Sequence, residues 1–294
     1  MKIATAAYPL DPLTSWADYR RKLTDWVAEA AAQGAELAVF PEYGAMELAM
    51  LAGSEAAGDL ERSLHAVSGV MSEAYDLHAE LATQYNLHIL GASAPVFDPD
   101  LGPRPVNRAM LFTPTGARAA QDKQIMTRFE REEWHVAPGG PLRLFDTRLG
   151  KIGILICYDS EFPLLGKALA DADLILVPSC TEALTGYSRV RIGAMARALE
   201  MQCVTVMAST VGSADWSPAV DTNCGMGGVF GPPDTGFPAT GVLAEGTLNR
   251  PGWTYAEVDL DRIAHVRADG VVLNRRHWED QLGRDVTVTS EPLR

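Results

Sequence analysis

The side chains best placed for covalent chemistry centre on Cys157, in the stretch KIGILICYDSEFP at residues 151–163. Residues 152–156 form an almost wholly apolar run, the pattern of a strand buried on both faces. The run stops at Cys157, and Tyr158, Asp159, Ser160 and Glu161 suit a tight turn leading into a helix over residues 164–170. A thiol there lies near a helix N-terminus, where unpaired N–H groups and partial positive charge favour a thiolate and an oxyanion. That is a nucleophile's position, although a lone free cysteine is also a common small core residue. Two more reactive groups end strands of their own. Glu42 follows Pro41 in the PEYG turn after residues 36–40, and Lys123 closes the extended segment 118–123. In α/β sheets, ligands gather at the carboxyl ends of strands.

Positioning three such groups takes a series of strands and helices, and the hydrophobic periodicity supplies one. Residues 2–8 read as a buried strand, and Ser15 opens a helix in which Trp16, Tyr19, Leu23, Val27 and Ala30 share a face up to Gly34. A second helix spans 60–85, with Leu64, Val67, Met71, Ala74, Leu77 and Leu81 on one side, followed by a strand at 87–92. Segments 106–113 and 118–123 flank a PTG turn and predict a hairpin, as do 142–147 and the Cys157 strand across RLGK. The sheet is therefore mixed. Beyond Cys157 the pattern continues as a strand at 174–178, a helix at 188–201, strands at 203–208 and 253–258, and a short helix at 261–267. The glycine-rich run GMGGVFGPP lacks the spacing of a phosphate loop and suits hairpin turns. No linker or repeat interrupts the chain, which predicts a single domain over 1–294, with the polar residues after about 270 as a C-terminal tail that packs on the body or on a partner subunit.

Composition narrows the function. The 294 residues are 47% hydrophobic and 21% charged, enough for a substantial core. A net charge of −13 argues against nucleic acid as a partner, since a phosphate backbone calls for a basic face. The absence of an 18-residue apolar run argues against a membrane partner, and an N-terminus without a long apolar core suits a cytoplasmic protein. Cys180, Cys203 and Cys224 read as structural thiols, and neither the cysteines nor the six histidines show metal-ligand spacing, so no metal is expected. The eighteen residues 124–141 form a long polar loop with no evident element, which in a compact domain is more often functional than not.

Taken together, AVFPEYG around Glu42, DKQIM around Lys123, GILICYDSEFP around Cys157, ADLILVPS from Ala172, RALEMQ from Arg197 and VDLDRIAHVR from Val258 resemble the nitrilase superfamily of carbon–nitrogen hydrolases. The resemblance implies an α/β fold, a four-layer α-β-β-α sandwich with two mixed sheets, paired through helices into a homodimer or higher homo-oligomer. It implies a Glu42, Lys123 and Cys157 triad, and a second glutamate shortly before a Pro-Gly pair. Spacing to Pro138 and Gly139 favours Glu132 for that role, with Glu133 as its rival and Glu130 as surface charge. It further implies a cofactor-independent amidase acting on a small-molecule amide with water; CYDSEFP looks more like the amidase branches than the nitrilases. The alternatives are an N-carbamoyl amine or amino acid hydrolase, a nitrilase, or a non-catalytic scaffold on the same fold.

The chemistry of such a set is specific. Cys157 attacks a carbonyl, Glu42 takes the thiol proton, and Lys123 with the Tyr158 backbone N–H faces the oxyanion, giving a thioester that water then opens. Two carboxylates and one ammonium already sum to minus one, so Cys157 is expected to rest as a thiol sharing its proton with Glu42. Glu161, four residues after the nucleophile, reads either as a substrate-binding acid at the pocket mouth, favouring amines, or as a first-turn glutamate favoured by the helix dipole. Arg197 and Glu200 should tie helix to sheet, and residues 46–58, 124–138 and 181–189 should shape the pocket.

Overall fold

Alternation along the strands decides which side chains face a helix layer and which face a second sheet. The computed structural model describes residues 1–284 and 288–293. Its strands are β1 (Lys2–Pro9), β2 (Leu37–Val39), β3 (His88–Leu90), β4 (Ala94–Val96), β5 (Val106–Phe112), β6 (Arg118–Asp122), β7 (Leu144–Thr147), β8 (Gly150–Ile154), β9 (Leu174–Ser179), β10 (Val204–Ser213), β11 (Thr222–Asn223), β12 (Gly228–Phe230), β13 (Val242–Glu245) and β14 (Gly252–Glu257). The helices are α1 (Trp16–Ala32), α2 (Ser54–Ala57), α3 (Leu60–Gln84), α4 (Arg128–Glu132), α5 (Pro163–Ala168), α6 (Leu184–Met201) and α7 (Leu260–Asp269). Short 3-10 turns lie at Gly44–Ala52, Cys157–Glu161 and Trp278–Gln281.

One continuous 14-stranded sheet curls over along β1 and β10, so that its two mixed halves stand as a first and a second sheet joined there. On one edge β1 pairs in parallel with β2, which continues to β3 and the antiparallel strands β5, β4 and β6. On its other edge β1 pairs first with β14, antiparallel from Lys2 to Ala7, and then with the end of β10, parallel from Ala7 to Pro9. The earlier part of β10 belongs to the second sheet, between β9 and β12, with β8, β7 and β13 beyond them. The expected hairpins are present, β5 with β6 and β7 with β8, and they are what make each sheet mixed.

Side-chain alternation sorts the layers. Ala4, Ala6 and Tyr8 of β1, Ala38 of β2 and Ile89 of β3 join the cluster that covers α1 and α3. Their neighbours Ile3, Leu37, Val39 and Leu90 point the other way, into the cluster shared with Ile152, Ile154, Leu174, Val204 and Val206 of the second sheet and with Ala194, Ala198 and Met201 of α6. Each fully buried Leu, Ile or Val contributes about 1.5–3 kcal/mol. Ser15 caps α1 by accepting from the Asp18 N–H, and Asp59 caps α3 through the Arg62 N–H. No helix among the described residues is long and apolar enough to cross a membrane.

Some elements differ from the sequence expectation. The loop 124–141 contains α4, held by a capping box between Thr127 and Glu130. α6 starts at Leu184, four residues before the expected Ser188, with Ala183 at its N-cap making no side-chain bond. Residues 272–278 fold back on the body: Gln202 donates to the Val272 carbonyl and accepts from the Arg275 N–H, and the Lys167 ammonium sits over the Trp278 ring. Residues 285–287 and 294 of the expected tail lie outside the described residues.

Candidate active site

Three strand ends converge. Two residues after β2, the Pro41 carbonyl accepts the Ser93 N–H, while the Ser93 hydroxyl accepts the Tyr43 N–H at 3.0 Å. Tyr43 adopts a left-handed φ of 53°, and the turn directs Glu42 inward, where it is buried. Lys123 extends the β5–β6 ladder by one more bond, from its N–H to the Asn107 carbonyl at 2.9 Å. Its own carbonyl accepts the Gly139 N–H at 2.9 Å, closing the loop that carries α4. Gly139 lies so close to Asp122 that a Cβ there would come within 2.0 Å of the Asp122 Cβ, which is why this loop returns on a glycine.

Cys157 follows β8 on a sharp turn. Its φ is 50°, the left-handed region, which costs a non-glycine residue on the order of 1–3 kcal/mol and persists because neighbours hold it. Those neighbours are specific. The Asp159 carboxylate accepts N–H groups from Ile156, Gln124 and Ile125, lashing the Cys157 turn to the residues just after Lys123. The Ser160 hydroxyl donates to the Cys157 carbonyl at 2.7 Å, and Arg197 donates to the Ser160 carbonyl at 2.9 Å from α6. Arg197 thus ties α6 to the Cys157 turn, with Glu200 holding its guanidinium.

The Lys123 ammonium donates to Glu42 Oε1 and to Glu130 Oε2, each at 2.7 Å, and all three side chains are buried. Glu42 Oε1 also accepts Asn107 Nδ2 at 2.9 Å, and Oε2 accepts the Cys180 N–H at 3.0 Å. Glu130 is clamped from three further directions, by the Thr127 N–H and hydroxyl on Oε2 and the Tyr43 hydroxyl on Oε1. The Cys157 thiol points to the Cys180 carbonyl at 3.8 Å and neighbours the Glu42 carboxylate.

Charge follows from this packing. Burial disfavours the Lys123 ammonium, but the Glu130 and Glu42 carboxylates outweigh it and hold the group well above the ordinary lysine value. Burial raises Glu42, with Lys123 pulling it down and Glu130 pushing it up; the net direction is upward. Glu130 goes the other way, because Lys123 and its hydrogen-bond donors exceed the burial penalty. Burial, then the Glu42 charge, push the Cys157 thiol well above the ordinary cysteine value despite Lys123. The helix after Cys157 is a five-residue 3-10 turn followed by a six-residue α5, too short to supply a strong counter-field.

Of the residues singled out in the sequence, Glu42, Lys123 and Cys157 meet around one cavity of about 430 Å³, with Tyr158 and Glu161 in its wall. Glu132 does not. Its side chain is 58% exposed and pairs with Arg128 at 2.8 Å, and Glu133 is exposed as well. The carboxylate on Lys123 is Glu130, and helix phase explains the exchange: at 100° per residue, Glu132 lies about 200° round α4 from the buried Glu130. The sequence did carry the signal, a Thr127-x-x-Glu130 capping box. Asn107 and the Cys180 backbone had no comparable signature. Residues 124–138 and 181–189 contribute to the cavity as expected, but 46–58 do not. Met46, Leu48, Ala49 and Ala57 are core residues, and the remaining wall comes from residues 218–222.

A family model described as carbon-nitrogen hydrolase matches residues 3–268. The probable hydrolase YhcX of Bacillus subtilis is 32% identical over 274 residues, 92% of this chain and 52% of that protein, so the chain spans about half of that relative's length. Omega-amidase NIT2 of Danio rerio is 25% identical over 266 residues, covering 85% of this chain and 86% of that one. Among solved structures, Nit3 of Saccharomyces cerevisiae, a member of branch 10 of the nitrilase superfamily, superimposes with a TM-score of 0.71 at 22% identity over 94% of this chain and 96% of that one, a likeness of fold.

Proposed function

The chain belongs to the carbon-nitrogen hydrolase family, and on that basis we propose that it hydrolyses the C–N bond of a small, non-peptide amide through a thioester on Cys157. The observation that carries the reading is the Lys123 ammonium held between Glu42 and Glu130 at 2.7 Å each, beside a thiol on a left-handed turn. Glu42 Oε1 is occupied by Lys123 and Asn107, which leaves Oε2 as the freer base. In the first half-reaction the Cys157 sulfur adds to the carbonyl carbon as its proton passes to Glu42. The oxyanion draws donors from Lys123 Nζ and the Tyr158 backbone N–H. Collapse breaks the C–N bond, and the departing nitrogen takes the proton from Glu42. Water then gives a proton to Glu42 while its oxygen adds to the thioester; collapse expels the sulfur, which recovers that proton, and the acid leaves. Glu130 keeps Lys123 charged and in place. The similarity to an omega-amidase favours an amide over a nitrile or an N-carbamoyl compound.

The test is intact-mass spectrometry on wild type and Cys157→Ala, incubated with panels of amides, N-carbamoyl compounds and nitriles. An acyl adduct on wild type, with turnover that Cys157→Ala abolishes, is the expected result. Turnover that survives the substitution rejects the thioester, and no adduct or turnover across the panels favours a scaffold. We further propose a homodimer through the outer face of α6, where Ile192 and Leu199 are exposed, and a cytoplasmic location, which suits four free cysteines.

A further inference from the structure

Five carboxylates and three cations line the cavity, a formal net charge of −2. The excess is at the mouth. The inner set of Glu42, Lys123 and Glu130 is closed on itself at 2.7 Å, and Arg128 is taken by Glu132 at 2.8 Å outside the pocket. That leaves Arg189 as counter-charge for Glu161, Glu182 and Asp221, and neither Glu182 nor Asp221 forms an ion pair among the described residues.

Glu161 is the acid that matters most, because it shares the nucleophile's turn. A 3-10 turn rises about 2 Å per residue, so its Cα stands about 8 Å along the axis from that of Cys157, within reach of a short substrate chain. Its side chain is only 21% exposed, whereas Arg189 is 63% exposed and approaches no nearer than 3.6 Å. A half-open pair of that kind contributes about 1 kcal/mol or less, so a ligand cation can replace the guanidinium at little cost. A carboxylate entering the same space would instead meet Glu161, with Glu182 and Asp221 at the exposed rim. Like charge beside a poorly solvated group costs more than the same charge in water.

We propose that this pocket selects amides carrying an ammonium group a few bonds from the scissile carbonyl, with Glu161 binding that group in place of Arg189. The inference rests on the amidase reading for its substrate class, but the field it describes can be read without turnover.

The experiment has two arms. In the first, Cys157 is modified with 2-aminoethyl and with 2-sulfonatoethyl methanethiosulfonate, each thiolate attack forming a mixed disulfide and releasing methanesulfinate. Rates are taken from the mass of the Cys157 peptide and normalised to a small free thiol. The cationic reagent is expected to be favoured about tenfold or more. Glu161→Gln should shrink that ratio and Arg189→Gln should enlarge it, so the pair of variants guards against one that folds poorly. A normalised ratio of one or less overturns the inference, as does a ratio that neither substitution moves. In the second arm, kcat/KM is compared for 5-aminopentanamide, pentanamide and 5-amino-5-oxopentanoate. Cys157-dependent hydrolysis without preference for the cation overturns the charge selection and leaves the amidase reading standing. A cation-favouring modification ratio without hydrolysis of any amide supports the field at Glu161 and counts against the amidase reading.

Discussion

Lys123 keeps its proton in a buried site because two carboxylates each accept one of its donors, and Glu130 is the one whose own partners hold it ionised. Glu130→Gln is therefore expected to lower kcat by about 10²–10⁴, the usual range for a lost proton-handling or charge-stabilising group. It should also destabilise the fold by about 3–5 kcal/mol, because a buried ammonium loses half its compensation. Glu132→Gln should change kcat by less than about twofold, as exposed ion pairs contribute little. Steady-state kinetics and urea denaturation on both variants check the pair, and the reverse ranking would return the role to Glu132. Cys157 gives a pH prediction. A thiol pushed above its ordinary value rests protonated at neutral pH, so the rate of its reaction with iodoacetamide should keep rising past about pH 8.5, the midpoint of a free thiol. A plateau below pH 7 would mean an ion-paired thiolate. The sign for stability agrees: because the folded value lies above the unfolded one, this group leaves stability unchanged below about pH 8.5 and reduces it as pH rises beyond.

Among the elements, α6 and the Cys157 turn act as one piece. A Cβ on Gly193 would come within 2.9 Å of both the Ser160 carbonyl and hydroxyl oxygens, and Ser160 is the residue that holds the Cys157 carbonyl. Gly193→Ala would force α6 away from the turn, loosening the Arg197 contact that spans them. The expected cost is about 1–3 kcal/mol of stability, with a fall in kcat larger than any change in KM, since the displaced group is the proposed nucleophile Cys157 rather than the pocket wall. Thermal unfolding and kinetics read both. An active variant with unchanged Tm would show that α6 can shift without disturbing Cys157. The periodic helices needed no such tertiary information: Leu64, Val67, Met71, Ala74, Leu77 and Leu81 are the buried face of α3 as their spacing predicts.

At the scale of the molecule, the outer face of the second helix layer stays uncovered. Leu164 of α5 is 75% exposed and Ile192 of α6 is 65% exposed, with Leu199 two turns further along α6. Proteins that keep such a stripe usually bury it against a partner. Two copies at −13 each repel, so the proposed dimer should tighten with salt as screening grows. Light scattering across a dilution series at low and at 0.15 M ionic strength should show this, and Ile192→Glu should yield monomers. A wild-type protein that stays monomeric at all concentrations would remove the dimer.

Much of the site was legible in the chain because its signals are local. An apolar run ending in Cys157, a proline cutting off a strand before Glu42, and a lysine closing a hairpin each depend on a few neighbouring residues. Local periodicity also determined most strands and helices, since a side chain's face follows from its position within one element. What only the tertiary structure decided was phase and company. Three glutamates within four residues look alike until a five-residue helix rotates one of them inward, and that rotation depends on Thr127 capping the helix and Trp134 anchoring its end. The wall at 218–222 and the orientation of Glu42 by Asn107 join residues far apart in the chain, which no pattern of neighbours records. The resting charge of Cys157 is likewise a tertiary property: burial and a carboxylate brought from 115 positions away outweigh what its own short turn could supply.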